Sequence, residues 1–226
     1  MTTGQKAGRP RSAAIDLLRA LSILWIVGIW HLLGYTDAIA DYKNDVTHRL
    51  TVVVLGLFML IAGHLVGRAG IRGGADVLAF YRRRLVRIYP PYLLALWWFA
   101  RSDLLEPGQL RPAALLASSF GPDAPDTLWY ISVLVVFYLL APFLLLLRDR
   151  MGRGLRLRGE TAAGVLTAVL LIAAATALAG AVPTWDQRMF LYFPPFVVGL
   201  LVTARLDAEQ LGGRGGTGRR WVRSSI

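Results

Sequence analysis

No cysteine occurs among the 226 residues. Disulfides, thiolate metal sites and a cysteine nucleophile are therefore excluded, while the redox compartment stays open. Only three histidines are present, His31, His48 and His64, and they are scattered. That is too little for a metal-ligand set, so no metal site is expected. A glycine-rich phosphate loop of P-loop or dinucleotide form is also missing. Acids are scarce, 14 against 25 Lys and Arg, and charged residues make up only 17% of the chain. There is no secretory signal pattern. The first apolar run follows Arg9 and Arg11, is too long for an h-region and lacks a small-residue cleavage site, so it is expected to remain attached.

What the chain does have is apolar length: 55% of residues are hydrophobic and the mean hydropathy is +0.51, a composition of integral membrane proteins. Six spans are expected, at Ile15–Tyr35, Leu50–Gly67, Leu85–Ala100, Leu128–Leu147, Thr161–Val182 and Met189–Ala204. The longer ones approach the ~20 residues that cross the roughly 30 Å hydrocarbon core as a helix. The fold class is thus all-α, a polytopic membrane helical bundle. Residues 1–14 form an N-terminal segment, 15–204 the transmembrane domain, and the Gly- and Arg-rich stretch 205–226 a disordered basic tail.

The basic charge sorts by side. The N-terminal segment with Arg19 holds four Lys or Arg, the Arg68–Arg87 connection six, the Arg148–Arg158 connection five and the tail from Arg205 five, or 20 of the 25. Most loop acids lie in the other connections. By the positive-inside bias, both termini are cytoplasmic. The net charge of +11 is then a topology signal, and nucleic acid is not an expected partner. Arginine-rich usage points to a bacterial source, which places the chain in a bacterial cytoplasmic membrane.

Ionisable groups inside such spans are costly, about 2.5–3.5 kcal/mol for Arg or Asp at mid-span, and mark protein interiors or polar paths. Asp16, Arg19 and His31 interrupt the first span, and His64 the second. Asp16, three residues before Arg19, is expected to pair with it. The small residues Ala62 and Gly63 let a neighbouring helix approach. Arg84 and Arg87 are three apart and share a helix face. At about 24 Å, the third span falls short of the hydrocarbon thickness, so both arginines dip into the inner interface. The proline pairs Pro90–Pro91 and Pro194–Pro195 are expected to kink or break their helices. The apolar piece Ala113–Phe120 is too short to cross, and either rests on the surface or re-enters.

These pieces resemble the membrane-bound acyltransferase 3 family. The likeness is carried by IDLLRALSILWIVGIWH at Ile15–His31, FMLIAGHLVG at Phe58–Gly67 and YRRRLVRIYPPYLLAL at Tyr81–Leu96. It continues in LWYISVLVVFYLLAP at Leu128–Pro142 and FPPFVVGLL at Phe193–Leu201. The resemblance implies an O-acyltransferase with acyl-CoA, acetyl-CoA above all, as donor substrate and no permanently bound cofactor. Its acceptor would be a hydroxyl of a carbohydrate or a lipid-linked molecule on the exoplasmic side. It also implies that Arg84 and Arg87 of the RxxR pair bind the donor, and that Arg19 and His31 serve catalysis. In this chain the motif runs with an extra residue between Arg19 and His31, the second span has Ala62 and His64 where Ser and Phe are usual, and six spans stand where the family has about ten.

The chemistry of these residues agrees. Guanidinium groups hold the phosphates of coenzyme A by charge-assisted bidentate bonds, with Arg83 reinforcing the field. His31 lies about 18 Å beyond Arg19 along the helix, a distance that a pantetheine arm bridges. As general base it takes the proton of an acceptor hydroxyl that attacks the thioester. Trp129, Tyr130 and Ser132 are oxyanion-donor candidates by position alone. Twelve residues at about 100° each leave Arg19 and His31 about 120° apart around the helix, whereas eleven would leave them nearly in line. A π-bulge within Ser22–Gly28 would restore the alignment. The competing readings are a catalytically inactive truncated paralogue or helper subunit, and a small-molecule transporter using broken helices and intramembrane histidines.

Overall fold

A computed structural model describes residues 13–31, 44–69, 71, 73–102, 104–106, 108–121, 128–154, 171–172, 174–182 and 184–216, without side-chain detail at 149, 151–154 and 204–216. Among the described residues every regular element is helical. Helix α1 (Ala13–Ile23) runs into a π-helical segment (Leu24–His31), and α2 spans Asp45–Gly67. Next come α3 (Gly74–Arg101), the short α4 (Leu110–Ala114) and a 3-10 turn (Ser118–Phe120). Helix α5 covers Trp129–Gly154, α6 residues 174–181, and α7 Gln187–Gly216. An all-helical membrane bundle is what the sequence predicts.

Among the described residues three helices are long and apolar enough to cross a membrane: Ala13–His31, Asp45–Gly67 and Trp129–Arg148. Gln187–Thr203 is apolar but shorter. The expected third span lies within α3, 28 residues long, whose Arg82, Arg83, Arg84, Arg87 and Arg101 set it apart from those three. The expected fifth span, Thr161–Val182, falls largely outside the described residues.

Local chemistry fixes the ends. Asn44 caps α2: its side-chain oxygen accepts from the Val46 and Thr47 amides at 3.0 and 3.1 Å, and the Thr47 hydroxyl accepts in return from the Asn44 amide at 3.1 Å. This capping box satisfies donors that the first turn would otherwise leave open. Asp186 does the same for α7, accepting from the Arg188 amide at 2.9 Å while its carboxylate takes the Arg188 Nε at 2.9 Å.

The core is built on close backbone contact between α2 and α7. A Cβ added at Gly63 would collide with the Phe196 carbonyl, and one at Gly199 with the Leu60 carbonyl. At Gly67 it would lie 2.6 Å from the Leu200 oxygen and 2.7 Å from Thr203 Oγ1. In lipid, where helices gain little from hiding apolar surface from one another, such small-residue contact is a principal source of packing attraction. The approach expected at Gly63 is therefore real, and α7 is its partner. Helix α5 closes the core with Val133, Phe137, Ala141 and Leu145, all at or below 1% exposure, against Met59, Phe196 and Leu200.

Two expectations are corrected. Neither proline pair breaks its helix: α3 continues through Pro90–Pro91 and α7 through Pro194–Pro195. A proline removes one i→i−4 amide each time, and the remaining ladder on both sides carries the helix across. Helix α7 also continues to Gly216, past Arg205, where the sequence suggests a disordered tail. The short apolar piece packs against α3 and α5. Ala113, Ser118 and Ser119 are buried, and the Tyr89 and Tyr92 hydroxyls donate to the Ala114 and Ala113 carbonyls at 2.9 and 2.8 Å. Outward, Leu93, Leu94, Trp97 and Trp98 of α3 are exposed, as suits a face turned to lipid.

The glycine contact is testable. Gly63→Ala meets a backbone carbonyl that cannot rotate away, so it should lower stability by about 1–3 kcal/mol. Gly56→Ala, with open space around it, should be neutral or stabilising by up to about 1 kcal/mol. Thermal unfolding of the two variants in the same detergent checks the difference.

Candidate functional site

Arg19 lies one turn into α1, half-buried, with its guanidinium carbon 5.9 Å from the Phe58 ring centroid on α2. Asp16 is exposed and makes no ion pair with it. The expected Asp16–Arg19 pair is thus absent, because the guanidinium is drawn to the aromatic face inside the bundle.

Beyond Arg19 the helix changes its winding. Leu24–His31 is π-helical, with i→i+5 hydrogen bonds that accommodate extra residues per turn. The widening starts inside the Ser22–Gly28 window where the spacing of Arg19 and His31 calls for it, and it extends to His31. The segment is tied to the first half of α2. Trp25 Nε1 donates to Thr51 Oγ1 at 3.1 Å, and the Trp30 ring faces His48 at 6.1 Å. His31 is half-buried at the end of this segment.

The arginines expected to bind the donor divide. Arg84 is half-buried, with its guanidinium 5.3 Å from the Phe80 centroid and 4.8 Å from that of Tyr138 on α5. Arg87 is exposed but close enough for its charge to act on the Tyr138 hydroxyl, as do the charges of Arg84 and Arg19. Arg83 is exposed and has no part in this cluster. The structure therefore seats Arg84 on the Tyr138 ring and Arg19 on the Phe58 ring, with Arg87 exposed one turn beyond Arg84, while His31 stands at the other end of its helix.

Tyr138 is a residue that sequence reasoning missed. Its one signal was a place in the LWYISVLVVFYLLAP string, four residues before Pro142, where the missing proline amide frees the Tyr138 carbonyl. The neighbouring Leu139 carbonyl accepts the Tyr81 hydroxyl at 2.8 Å, which ties α3 to α5 beside Arg84. Among the described residues none of Arg19, Arg84 and Arg87 forms an ion pair. Aromatic faces hold Arg19 and Arg84, contacts worth about 0.5–2 kcal/mol each, but a quadrupole does not neutralise a full charge. The arrangement is a cluster of guanidinium groups packed on aromatic rings.

At the Arg-rich end of α2, His64 is joined to α7. Thr203 Oγ1 lies 2.9 Å from His64 Nδ1, 2.8 Å from the His64 carbonyl and 3.1 Å from the Gly199 carbonyl. The two carbonyls can only accept, so the hydroxyl is their donor, and its contact with Nδ1 takes the direction that the imidazole tautomer sets. Thr203 gave no sequence signal. The same end holds Arg148, which donates to the Gly67 carbonyl at 3.4 Å.

At the opposite end Ser132 and Ser118 share a hydrogen bond of 2.8 Å, fully buried. Among the described residues, three buried side-chain polar atoms have no partner: Arg68 Nε, Ser119 Oγ and the Tyr130 hydroxyl.

Comparison with known proteins gives one match: a family model described as an acyltransferase domain covers residues 12–216. No curated protein and no solved structure matches the chain.

The Thr203–His64 contact has a direct check. Thr203→Val keeps the shape and removes the hydroxyl, which leaves Nδ1 and two carbonyls short of a partner. It should cost about 1–3 kcal/mol, whereas Thr203→Ser should restore most of the loss. Equal unfolding temperatures for wild type and Thr203→Val would contradict the bond.

Proposed function

The chain belongs to this acyltransferase family, and from that membership we propose that it moves an acyl group, acetyl in the first instance, from acyl-CoA to a hydroxyl of a carbohydrate or other exoplasmic or lipid-linked acceptor. The observation that supports the donor half of this reading is the seating of Arg19 and Arg84 on aromatic rings, with Arg87 one turn beyond Arg84 and no ion pair to any of the three among the described residues. Coenzyme A brings several phosphate charges, and guanidinium forks match phosphate oxygens in pairs. Arg84 and Arg87 hold those phosphates, and Arg83, one residue along, strengthens the field outside. Arg19 sits further in, where the pantetheine arm passes toward His31.

His31 is the base. The acceptor hydroxyl gives its proton to the imidazole, and its oxygen forms a bond to the thioester carbonyl carbon. The tetrahedral adduct collapses with cleavage of the C–S bond, and the departing thiolate takes the proton back from the imidazolium. Ester and coenzyme A thiol are the products. The π-helical winding before His31 supports this role, since it alters the side of the helix from which the imidazole projects relative to Arg19. The donor approaches from the cytoplasmic face and the acceptor from the exoplasmic one, so acyl transfer across a bacterial cytoplasmic membrane follows.

Full-length chain in nanodiscs, given acetyl-CoA labelled in the acetyl group with glycan and lipid-linked acceptors, tests the reading. Label should move to the acceptor as free thiol appears. His31→Ala should reduce the rate about 10²–10⁴-fold. Arg84→Ala and Arg87→Ala should each raise KM for acetyl-CoA about tenfold or more, the loss of one charge-assisted contact worth about 1.5–3 kcal/mol. Absence of thioester consumption with every acceptor, or a His31→Ala rate equal to wild type, would overturn it.

A further inference from the structure

We propose that the Tyr130 hydroxyl is the hydrogen-bond donor to the thioester carbonyl of the acyl donor; this rests on the acyl-transfer reading above. Three residues on the first turn of α5 are placed for such a role by sequence, and the structure separates them. Ser132 is engaged with Ser118 at 2.8 Å. Trp129 is covered on one face by the Arg188 guanidinium at 4.3 Å and stacks with Tyr192 at 5.6 Å. Tyr130 has a buried hydroxyl with no partner among the described residues. Buried polar groups are almost always satisfied, and an exception points to something that binds there.

The ring is held so that the hydroxyl has little freedom. Phe58 and Trp129 both meet it edge to face, each at 5.7 Å between centroids, with interplanar angles of 78° and 77°. Phe58 is the ring on which Arg19 rests, so one aromatic side chain positions both the cation and the phenol. Arg19, Tyr138 and Tyr192 are the electrostatic neighbours of the Tyr130 hydroxyl. The hydroxyl itself is buried, and in this proposal the donor held at Arg84 and Arg87 reaches it on the way to His31.

The surroundings select the bound group. Phe58 and Trp129 offer apolar surface that suits a short acyl chain, and the phenol supplies one O–H. A carbonyl oxygen accepts it weakly in the thioester and strongly once attack has placed negative charge there, a charge that Arg19 also favours. Donors aimed at a developing oxyanion act mainly on kcat. Tyr130 keeps its proton throughout, and the bond relaxes when the C–S bond breaks and the carbonyl re-forms.

Tyr130→Phe in the full chain, with folding followed by thermal unfolding, is the test. CoA release should fall about 10²-fold or more in kcat, with KM for acetyl-CoA changed less than about threefold. A difluorotyrosine incorporated at position 130, the same shape with a more acidic phenol, should raise kcat while leaving the unfolding temperature unchanged, and it decides the matter if Tyr130→Phe fails to fold. Wild-type rates in Tyr130→Phe, or in the fluorinated protein, would overturn the proposal and leave the hydroxyl with water only. A wild-type chain that consumes no thioester would overturn the acyl-transfer reading itself and this proposal with it, so the two failures are told apart by the wild-type rate.

Discussion

Guanidinium groups resting on aromatic faces, with no ion pair to a carboxylate among the described residues, are the constraint on which this molecule turns. Arg19 on Phe58 and Arg84 between Phe80 and Tyr138 bring positive charge into a helical bundle where charge is expensive. Ring quadrupoles recover part of the cost. Carboxylates would recover more and would also occupy the site. Asp16 is exposed one turn before Arg19. Among the described residues the ion pair is Arg188 with Asp186, at the start of α7. The unpaired guanidinium cluster is what the proposed anionic donor would engage.

The scaffold keeps that cluster in place through two departures from ordinary helix packing. Gly63, Gly67 and Gly199 bring the α2 and α7 backbones together so closely that a methyl group has no room, and the Thr203 hydroxyl pins the His64 end of the same contact. With α2 fixed on α7, Phe58 presents its ring to Arg19 on one side and to Tyr130 on the other. The second departure is the π-helical segment from Leu24 to His31. Such winding is less favourable than an α-helix and is concentrated at functional sites. Here it lies between the two polar side chains of one span, held to α2 by Trp25 and Thr51.

Much of this was legible beforehand because membrane physics writes it plainly into sequence. Apolar length gave the helices, and the three-residue spacing of Arg84 and Arg87 set the two charges one turn apart on α3. The odd spacing of Arg19 and His31 even located the change of winding. What stayed hidden were contacts between elements distant in sequence. Thr203 meets His64 across 139 positions, and nothing in either local string marks the pairing. Tyr138 looked like one more apolar-span aromatic until α3 laid Arg84 upon it. The prolines misled in the other direction. Pro90, Pro91, Pro194 and Pro195 read as breaks, yet each pair removes only its own amides and both helices run on. Asp16 and Arg19 read as a pair by spacing, and tertiary packing on Phe58 overrode it.

The central claim is that the arginine cluster holds the phosphates of an acyl-CoA whose acyl end reaches into the bundle. Electron cryomicroscopy of the chain in nanodiscs with a non-hydrolysable acetyl-CoA analogue tests this most directly. The account predicts phosphate density within hydrogen-bonding distance of Arg84 and Arg87 and the pantetheine arm running past Arg19 toward His31. Analogue density lying elsewhere, with Arg84 still stacked on Tyr138 and no ligand beside it, would contradict it.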